Sequence, residues 1–194
     1  MYYPYLKPLD NDPDLGIVRF AELDDIPYVV DLSKKENNAL GFIPKMAYTS
    51  AVTGIKTGKR WSNVCNDRLF VVECNKDLVG FCLASFGRVN AKKREGKIAQ
   101  ICLQTDARKL LRGRLLLDAA VEYGATKHGT MAFSCGCADD LESNIFWNAM
   151  GWINIGERFG KSHKNTWKET SKRKINIYRF DPTDLFSTNL GERR

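Results

Sequence analysis

The chain has 194 residues, of which 43% are hydrophobic and 27% are charged, and its formal net charge is +7. That length predicts one domain able to bury most of its apolar surface, and the composition is ordinary for a globular protein. No apolar run reaches the roughly 18 residues of a membrane-spanning helix, and the first residues lack the pattern of a secretion signal. A cytoplasmic location is therefore the default expectation.

The first part of the chain predicts an arm, a strand and two helices. Residues 1–15 are rich in Pro and Tyr, show no period, and predict an arm or a loose terminus. Residues 16–22 alternate as a strand does, and Asp24 or Asp25 can cap the helix that follows. A second helix is predicted over residues 44–57, with an apolar face formed by Ala47, Ala51 and Ile55.

The remainder of the chain continues the alternation of strands and helices. Residues 69–86 predict a hairpin with its turn at 75–77, and residues 98–103 predict a fourth strand. The further predicted elements are an amphipathic helix with apolar positions Leu115, Leu116, Ala119, Ala120 and Tyr123, a fifth strand that contains Ser134, a helix over 141–150, and strands over 153–159 and 175–180. We therefore expect an α/β (α+β) fold with about seven strands in a mixed sheet and about four helices on its two faces.

The six cysteines are Cys65, Cys74, Cys82, Cys102, Cys135 and Cys137. Cys74, Cys82, Cys102 and Cys135 fall in predicted strands, where Cys behaves as a small buried hydrophobe. The two histidines do not stand in a ligand pattern with cysteines, and a zinc site needs four regularly spaced ligands. No metal is expected.

The fourth strand runs into the turn Arg108-Lys-Leu-Leu-Arg-Gly113, and a helix follows. A strand that opens into a helix presents backbone N–H groups and a positive dipole end, which together favour phosphate. Arg108, Arg112 and Arg114 add positive charge beside those amides. The pattern therefore predicts a site for a phosphorylated cofactor. An ordinary helix with a basic first turn would show the same residues.

This order of motifs resembles the GCN5-related N-acetyltransferase (GNAT) family. Its members carry Arg/Gln-x-x-Gly-x-Gly/Ala at this turn, and here Arg108 and Gly113 match while Leu111 replaces the first Gly. Downstream, Asp140-Leu-Glu-Ser-Asn-Ile-Phe-Trp147 and then Gly151-Trp152 keep the spacing of the family's second helix motif. The resemblance covers residues 16–181 as an acyltransferase domain with a mostly antiparallel sheet, and it leaves 1–15 as an arm and 182–194 as a tail.

The resemblance implies acetyl-CoA as the cofactor. It places the pyrophosphate on the turn, with Arg108, Lys109, Leu111, Arg112, Gly113 and Arg114 as cofactor-binding residues. It places the pantetheine arm along Ile101, Cys102 and Leu103. Asp140 stands where the family has an Asn that contacts the cofactor, and Asp139 or Asp140 can equally be a helix N-cap.

The acid–base chemistry is the main departure from the family. Trp147 stands where many members have a Tyr that protonates the leaving thiolate, and an indole cannot do so. Trp147 can instead pack against the cofactor or within the helix core. The fourth strand offers Gln100 and Gln104 where a Glu base is common, so Ser134 and Asp139 are the candidates that line the catalytic site.

Three functions remain open. The first is transfer of an acetyl group from acetyl-CoA to an amine by direct attack, with a homodimer possible. The second is a phage-type enzyme that modifies nucleic acid on the same scaffold, and the third is a binding protein without catalysis. The second rests on the positive charge and on basic residues that suit a phosphate polymer: Lys92, Lys93, Arg94, Lys161, Lys164, Lys168, Lys172 and Arg173.

Overall fold

The computed structural model describes residues 16–56, 65–87, 94–108, 111–160 and 173–182. These residues form two compact units, an N-terminal unit that ends at Thr130 and a C-terminal unit that begins at Met131. The predicted arm over 1–15, most of the predicted tail and the connection over 161–172 lie outside the described residues. Each unit is built around its own set of antiparallel strands.

The N-terminal unit contains four strands in the order β1-β2-β3-β4, all antiparallel to their neighbours. The strands are β1 (Ile17–Phe20), β2 (Asp67–Cys74), β3 (Asp77–Ser85) and β4 (Glu95–Leu103), and the helices are α1 (Ile26–Lys35), α2 (Asn37–Leu40), α3 (Lys45–Thr53) and α4 (Arg112–His128). The β2–β3 hairpin confirms the prediction. Its turn residues Asn75 and Lys76 both have positive φ, as a tight two-residue hairpin turn requires.

Helices cover both faces of these four strands. On one face, Val29 and Leu32 of α1 and Tyr48 of α3 pack against Leu69 and Phe81 of the strands. Successive strand residues point to opposite faces, so Phe70 turns to the other side. There it lies 5.9 Å, between ring centroids, from Tyr123 of α4. The expected arrangement of helices on two faces is confirmed for this unit.

The second predicted helix is shorter in the structure than the sequence indicated. α3 ends at Thr53 because Gly54 adopts φ 71° and closes the helix in the left-handed conformation. Ile55, which was expected on the apolar face of that helix, lies beyond its end and is 52% exposed. The prediction that the helix reaches residue 57 was wrong, and the glycine was the available signal.

The C-terminal unit contains three antiparallel strands in the order β5-β7-β6 and one helix. The elements are β5 (Ala132–Ala138), α5 (Ser143–Ala149), β6 (Ile153–Phe159) and β7 (Lys174–Phe180). The bounds of β6 match the prediction. α5 begins two residues later than predicted, its N-cap residue is Glu142 and no side chain caps it. The prediction that Asp139 or Asp140 caps this helix was therefore wrong.

Seven strands and five α-helices in the described residues confirm the expected α/β class with mostly antiparallel pairing. All six cysteines lie within the described residues, are buried and form no disulfide, and burial was expected for the four in predicted strands. Among the described residues, no helix is long and apolar enough to cross a membrane.

Candidate functional site

The turn between β4 and α4 keeps a glycine-like backbone although it has no glycine at its key position. β4 ends at Leu103, a 3-10 turn spans Thr105–Ala107, and α4 begins at Arg112. Leu111 is the N-cap residue of α4 and has φ 59° and ψ −2°, which is the left-handed conformation. A leucine there is strained, because its Cβ crowds the backbone. The residue that replaces the family's first Gly therefore has a backbone conformation that a glycine adopts without strain.

The N-terminus of α4 is open to an anionic ligand. No side chain caps it, because Leu111 has no polar group to do so. The backbone N–H groups of a first helical turn have no acceptor inside the helix, and the helix dipole is positive at this end. α4 is 17 residues long, so the dipole is fully developed. Gly113 lies in this first turn and is buried.

Arg108 is the exposed cation of the turn. Its Nε donates to the carbonyl oxygen of Leu103 at 3.2 Å, and its Nη2 lies 3.0 Å from Oε2 of Glu36. The Arg108 side chain remains 45% exposed while it makes both contacts. The guanidinium is thus held at the end of β4 with part of its surface open to a ligand.

The other two arginines point elsewhere. Arg112 is only 8% exposed, and its Nη2 donates to Sγ of Cys74 at 3.4 Å. This inward orientation differs from the expectation that its charge lies beside the amides of the turn. Arg114 pairs with Asp118 one helical turn later at 3.3 Å, and burial raises the pKa of Asp118. Lys109 lies outside the described residues.

β4 carries a bulge two residues before the stretch expected to border the cofactor. Leu83 of β3 pairs with Gln100, whereas Ala84 pairs with Ile98, so Ala99 is an extra residue on β4. A bulge leaves its extra residue out of the ladder and is common next to active sites. Of the three predicted pantetheine contacts, Cys102 is buried in the core, while Ile101 and Leu103 are half-buried.

Gln100 is the centre of a buried polar network that the sequence did not reveal. It is 3% exposed, and its Oε1 accepts from the hydroxyl of Tyr48, whose oxygen in turn accepts from the hydroxyl of Ser33 at 2.8 Å because a tyrosine has a single proton to donate. Its Nε2 donates to the carbonyl oxygens of Leu40 and Gly41 at 3.3 and 3.0 Å. The amide therefore fastens the segment after α2 to the middle of β4. A polar residue inside an otherwise apolar strand was the available signal.

An open cavity of about 620 Å³ adjoins the turn. Residues of α1 and of the 3-10 turn line it, among them Asp31, Lys35, Thr105 and Asp106. Its size lies in the range of about 300–1,000 Å³ that is usual for ligand sites. Lys35 and Thr105 are close in the chain to Glu36 and Arg108, so a ligand has room on this side of the turn.

In the C-terminal unit, Trp147 belongs to the core. It is 5% exposed, and its ring centroid lies 4.9 Å from that of Trp152 and 6.4 Å from that of Tyr178. This favours packing within the unit over a cofactor contact for Trp147. Asp140, the other cofactor contact expected in this unit, pairs with Arg173 at 2.8 Å.

The two predicted catalytic residues, Ser134 and Asp139, lie too far apart to act on one atom. Ser134 lies within β5 opposite Arg179, and Asp139 follows the end of the same strand. Five residues of extended chain span about 16 Å, so no single reacting atom can contact both side chains. The carboxylate of Asp139 lies 3.8 Å from Nζ of Lys174.

Asn144 is a second residue that sequence reasoning missed. Its Nδ2 donates to the carbonyl oxygens of Leu141 and Ala138 at 2.7 and 2.8 Å. Its Oδ1 accepts from Asn176 and from the hydroxyl of Tyr178, both at 3.0 Å. These bonds fix the loop between β5 and α5, where Asp139 and Asp140 lie.

Two of the eight residues of the predicted basic surface, Arg94 and Arg173, lie in the part of the chain that the structure describes. Arg94 is exposed, whereas Arg173 is neutralised by its pair with Asp140. The remaining members, Lys92, Lys93, Lys161, Lys164, Lys168 and Lys172, lie outside the described residues.

Comparison with solved structures finds the same fold in several N-acetyltransferases. The ribosomal-protein-S18-alanine N-acetyltransferase of Escherichia coli is similar with a TM-score of 0.60 and 15% identity, over 86% of this chain and 93% of that one. The spermidine/spermine N-acetyltransferase SpeG of Vibrio cholerae gives 0.63 and 14%, over 91% and 99%. NAA60 of Arabidopsis thaliana gives 0.67 and 10%, over 85% and 97%. At these identities the likeness concerns the fold.

Comparison with curated proteins gives no match. The comparison with protein families does: residues 42–152, more than half of the chain, match the acetyltransferase (GNAT) family. The matched region contains β2, β3, β4, the strained turn at Leu111, α4, β5 and α5. The chain therefore belongs to the acetyltransferase (GNAT) family, which confirms both the resemblance and the N-acetyltransferase class expected from its sequence.

Proposed function

We propose that the protein transfers an acetyl group from acetyl-CoA to an amine acceptor, and that the turn between β4 and α4 binds the pyrophosphate of the cofactor. The observation that carries this proposal is the uncapped N-terminus of α4, where Leu111 has a left-handed conformation that glycine adopts without strain. The exposed guanidinium of Arg108 lies at the same turn. Acetyl-CoA is the acetyl donor of the family.

The donor set of the turn fits an anionic cofactor. Backbone N–H groups at a helix N-terminus, a positive dipole and an exposed guanidinium are the groups that bind phosphate in proteins. Arg108 and the first-turn amides of α4 would hold the pyrophosphate. Arg112 supports the turn from below, and Arg114 adds charge at a greater distance. When bound, acetyl-CoA supplies an acetyl group activated as a thioester.

β4 would position and polarise the reacting carbonyl. The bulge at Ala99 takes backbone groups out of the ladder with β3, so a backbone N–H there can donate to a ligand instead. A fixed amide dipole aimed at a carbonyl on which negative charge develops stabilises the transition state. The contribution of this chain to the reaction is thus mainly binding, orientation and electrostatics.

The side chain at the middle of β4 is not a base. Gln100 carries an amide, which does not take up a proton at neutral pH, and its polar atoms already bond to Tyr48, Leu40 and Gly41. Trp147 is equally unable to act as an acid. We infer that the acceptor amine reacts after it has lost its proton to solvent.

The similar structures and the net charge of the chain bear on which class of amine accepts the acetyl group. Among the similar structures, one enzyme acts on the alanine of a ribosomal protein and another on spermidine and spermine. A net charge of +7 attracts acidic partners and repels polycations at long range. We therefore favour a neutral or acidic acceptor, such as a protein N-terminus, over a polyamine.

Calorimetric titration with acetyl-CoA tests the cofactor site. Ligand at 100 times its Kd should raise the unfolding free energy by about 2.7 kcal/mol. Arg108→Ala should weaken binding about tenfold, or ~1.4 kcal/mol, since it removes a charged donor. Arg158→Ala removes an exposed arginine from β6 and should leave the Kd unchanged. No binding at millimolar acetyl-CoA would refute the proposal.

Thiol release from acetyl-CoA, measured with a panel of amines, then tests the acceptor. The panel contains a peptide with an N-terminal alanine, the same peptide with acidic residues added, and spermidine. We expect turnover with the peptides to exceed turnover with spermidine. The reverse order would overturn the preference for a neutral or acidic acceptor and leave the cofactor site intact.

A further inference from the structure

Glu36 faces the proposed cofactor turn from the junction of α1 and α2. Its Oε2 lies 3.0 Å from Nη2 of Arg108, and its side chain is only 20% exposed. A carboxylate covered to this extent has its position set by packing, unlike one in a fully solvated surface pair. Glu36 is therefore a fixed neighbour of the exposed cation of the turn.

The pair holds Arg108 in a defined orientation and cancels its charge. The Nε of Arg108 bonds to the carbonyl oxygen of Leu103 at 3.2 Å while Nη2 faces Glu36, so two acceptors fix the plane of the guanidinium. The negative charge of Glu36 lies in direct contact with the guanidinium. It thus lowers the attraction of this position for an anion.

Both charges also reach the buried end of β4. The pKa of the Cys102 thiol is raised to about 12, first by burial and then by the charge of Glu36, while Arg108 opposes the change. Cys102 lies in the stretch expected to border the pantetheine arm. The Glu36–Arg108 pair therefore lies at the point where the proposed pyrophosphate and pantetheine sites adjoin.

Glu36 is also part of a segment, residues 36–41, that two contacts hold, one to Arg108 after the end of β4 and one to Gln100 within β4. The carbonyl oxygen of Glu36 accepts from the backbone N–H groups of Ala39 and Leu40 at 2.9 and 3.0 Å. The first fastening is the ion pair with Arg108. The second is Gln100, whose amide donates to the carbonyl oxygens at the other end of the segment, residues 36–41.

We propose that Glu36 sets the affinity of the cofactor site by competing with the cofactor's phosphates for Arg108. Cofactor binding transfers the guanidinium from the carboxylate to a phosphate oxygen and releases one of the two fastenings of segment 36–41. Glu36 is thus a positioning residue that acts through Arg108. This inference rests on the proposed function, because it requires an anionic ligand at the turn.

Glu36→Gln isolates the charge, because the Gln side chain has nearly the same shape and keeps an oxygen acceptor for Arg108. In low salt, we expect the Kd for acetyl-CoA to fall about five- to tenfold, and the gain to shrink as salt screens the interaction. Glu122→Gln is the matched control. It makes the same substitution at an exposed residue of α4 that lies ten residues beyond the helix start, and it should change the Kd less than twofold.

A double-mutant cycle with Arg108→Ala tests whether the effect passes through Arg108. In the Arg108→Ala background, Glu36→Gln should no longer tighten binding. Amide hydrogen exchange provides a second readout: acetyl-CoA should speed exchange at residues 39–41 of the wild type. It should have little effect there in Glu36→Gln, where the charged fastening is already absent.

Each outcome decides between the two proposals. Unchanged or weaker binding by Glu36→Gln overturns the role of Glu36 and leaves the cofactor site standing. A gain that persists without Arg108 also overturns competition for that residue. Failure of the wild type to bind acetyl-CoA overturns the proposed function and this inference with it. Thermal melts without ligand show whether Glu36→Gln folds; if it does not, Glu36→Asp, which withdraws the carboxylate from Arg108, takes its place and should also tighten binding.

Discussion

Arg112 turns its guanidinium inward onto Cys74, with 3.4 Å between Nη2 and Sγ, although it lies in the first turn of α4 beside the exposed Leu111. Arg112 and Cys74 are both nearly inaccessible, at 8% and 9% exposure. The contact joins the start of α4 to the end of β2. Arg112 therefore supports the turn from the inside, whereas the Arg108 side chain is 45% exposed.

Arg112→Ala should lower stability by about 1–3 kcal/mol, because it removes buried methylenes and a charged donor in one step. The measurement is urea denaturation under reducing conditions. Arg114→Ala is the control within the same helical turn. Since its ion pair is about 40% exposed on the arginine side, we expect a loss below about 1 kcal/mol. Full stability of Arg112→Ala with loss of acetyl-CoA binding would show that Arg112 is a ligand instead.

Leu111→Gly should stabilise the protein. A left-handed conformation costs a leucine about 1–2 kcal/mol, and this strain is removed in the glycine variant. Glycine is freer in the unfolded chain, which lowers the resulting increase in stability by about 0.5–1 kcal/mol. Leu111 is 48% exposed, so little burial is lost. We expect a net gain of about 0.5–1 kcal/mol and a rise of ~1–4 °C in the thermal midpoint.

Leu111→Ala separates relief of backbone strain from removal of the side chain. Alanine keeps the Cβ that causes the strain, so its thermal midpoint should not rise. If both variants rise equally, the exposed leucine side chain and not its backbone was the source of instability. Acetyl-CoA affinity of Leu111→Gly should be at least that of the wild type, because the amide positions are unchanged.

Local patterns were sufficient to predict most of the elements. The β2–β3 hairpin and β6 follow from alternation and turn residues, which act over a few positions of the chain. The left-handed φ of Leu111 was not predictable, because leucine avoids that conformation and only the surrounding turn imposes it. The family pattern marked the position as one of glycine but did not indicate the conformation of the leucine that replaces it.

Side-chain direction in the site was the part that sequence could not supply. Arg108, Arg112 and Arg114 look equivalent in the sequence, yet one is exposed, one is buried and one pairs with Asp118. Which way each points depends on partners such as Glu36 and Cys74, which lie far away in the chain. Contacts of that kind follow from the assembled strands and helices and leave no local pattern.

Gln100→Glu should destabilise the protein strongly at neutral pH. The carboxylate would have no hydrogen to donate to Leu40 and Gly41 and would place a charge against their carbonyl oxygens. An uncompensated buried charge of this kind costs about 3–5 kcal/mol. Stability of the variant should recover as the pH falls towards 5, because the protonated carboxyl can donate again. Urea denaturation at pH 5 and pH 8 measures the difference.

Gln104→Glu is the control for this substitution. Gln104 is half-buried, and its side chain donates to the carbonyl oxygen of Leu78 at 3.3 Å. Its loss of stability should be smaller and should vary less with pH. Equal losses at both positions would mean that the network around Gln100 has no special role.

Alkaline pH should destabilise the protein through its buried thiols. Burial raises the pKa of Cys82 to about 12, whereas an unfolded Cys titrates near 8.5. Between these values the unfolded chain releases a proton that the folded chain keeps. The unfolding free energy therefore falls as pH rises, by up to about 1.4 kcal/mol per pH unit for each such thiol. Its contribution is complete below about pH 8.5 and is lost as the pH approaches 12.

Cys82→Ala should make this pH dependence shallower between pH 8 and pH 10, whatever its effect on stability at pH 7. Val71→Ala is the control, because Val71 is fully buried on the neighbouring strand β2 and carries no titratable group. It should lower stability equally across the range and leave the slope as in the wild type. The measurement is urea denaturation at several pH values with reductant present. A slope that Cys82→Ala leaves unchanged would mean that the Cys82 thiol ionises in the folded protein as readily as in the unfolded chain, which its complete burial argues against.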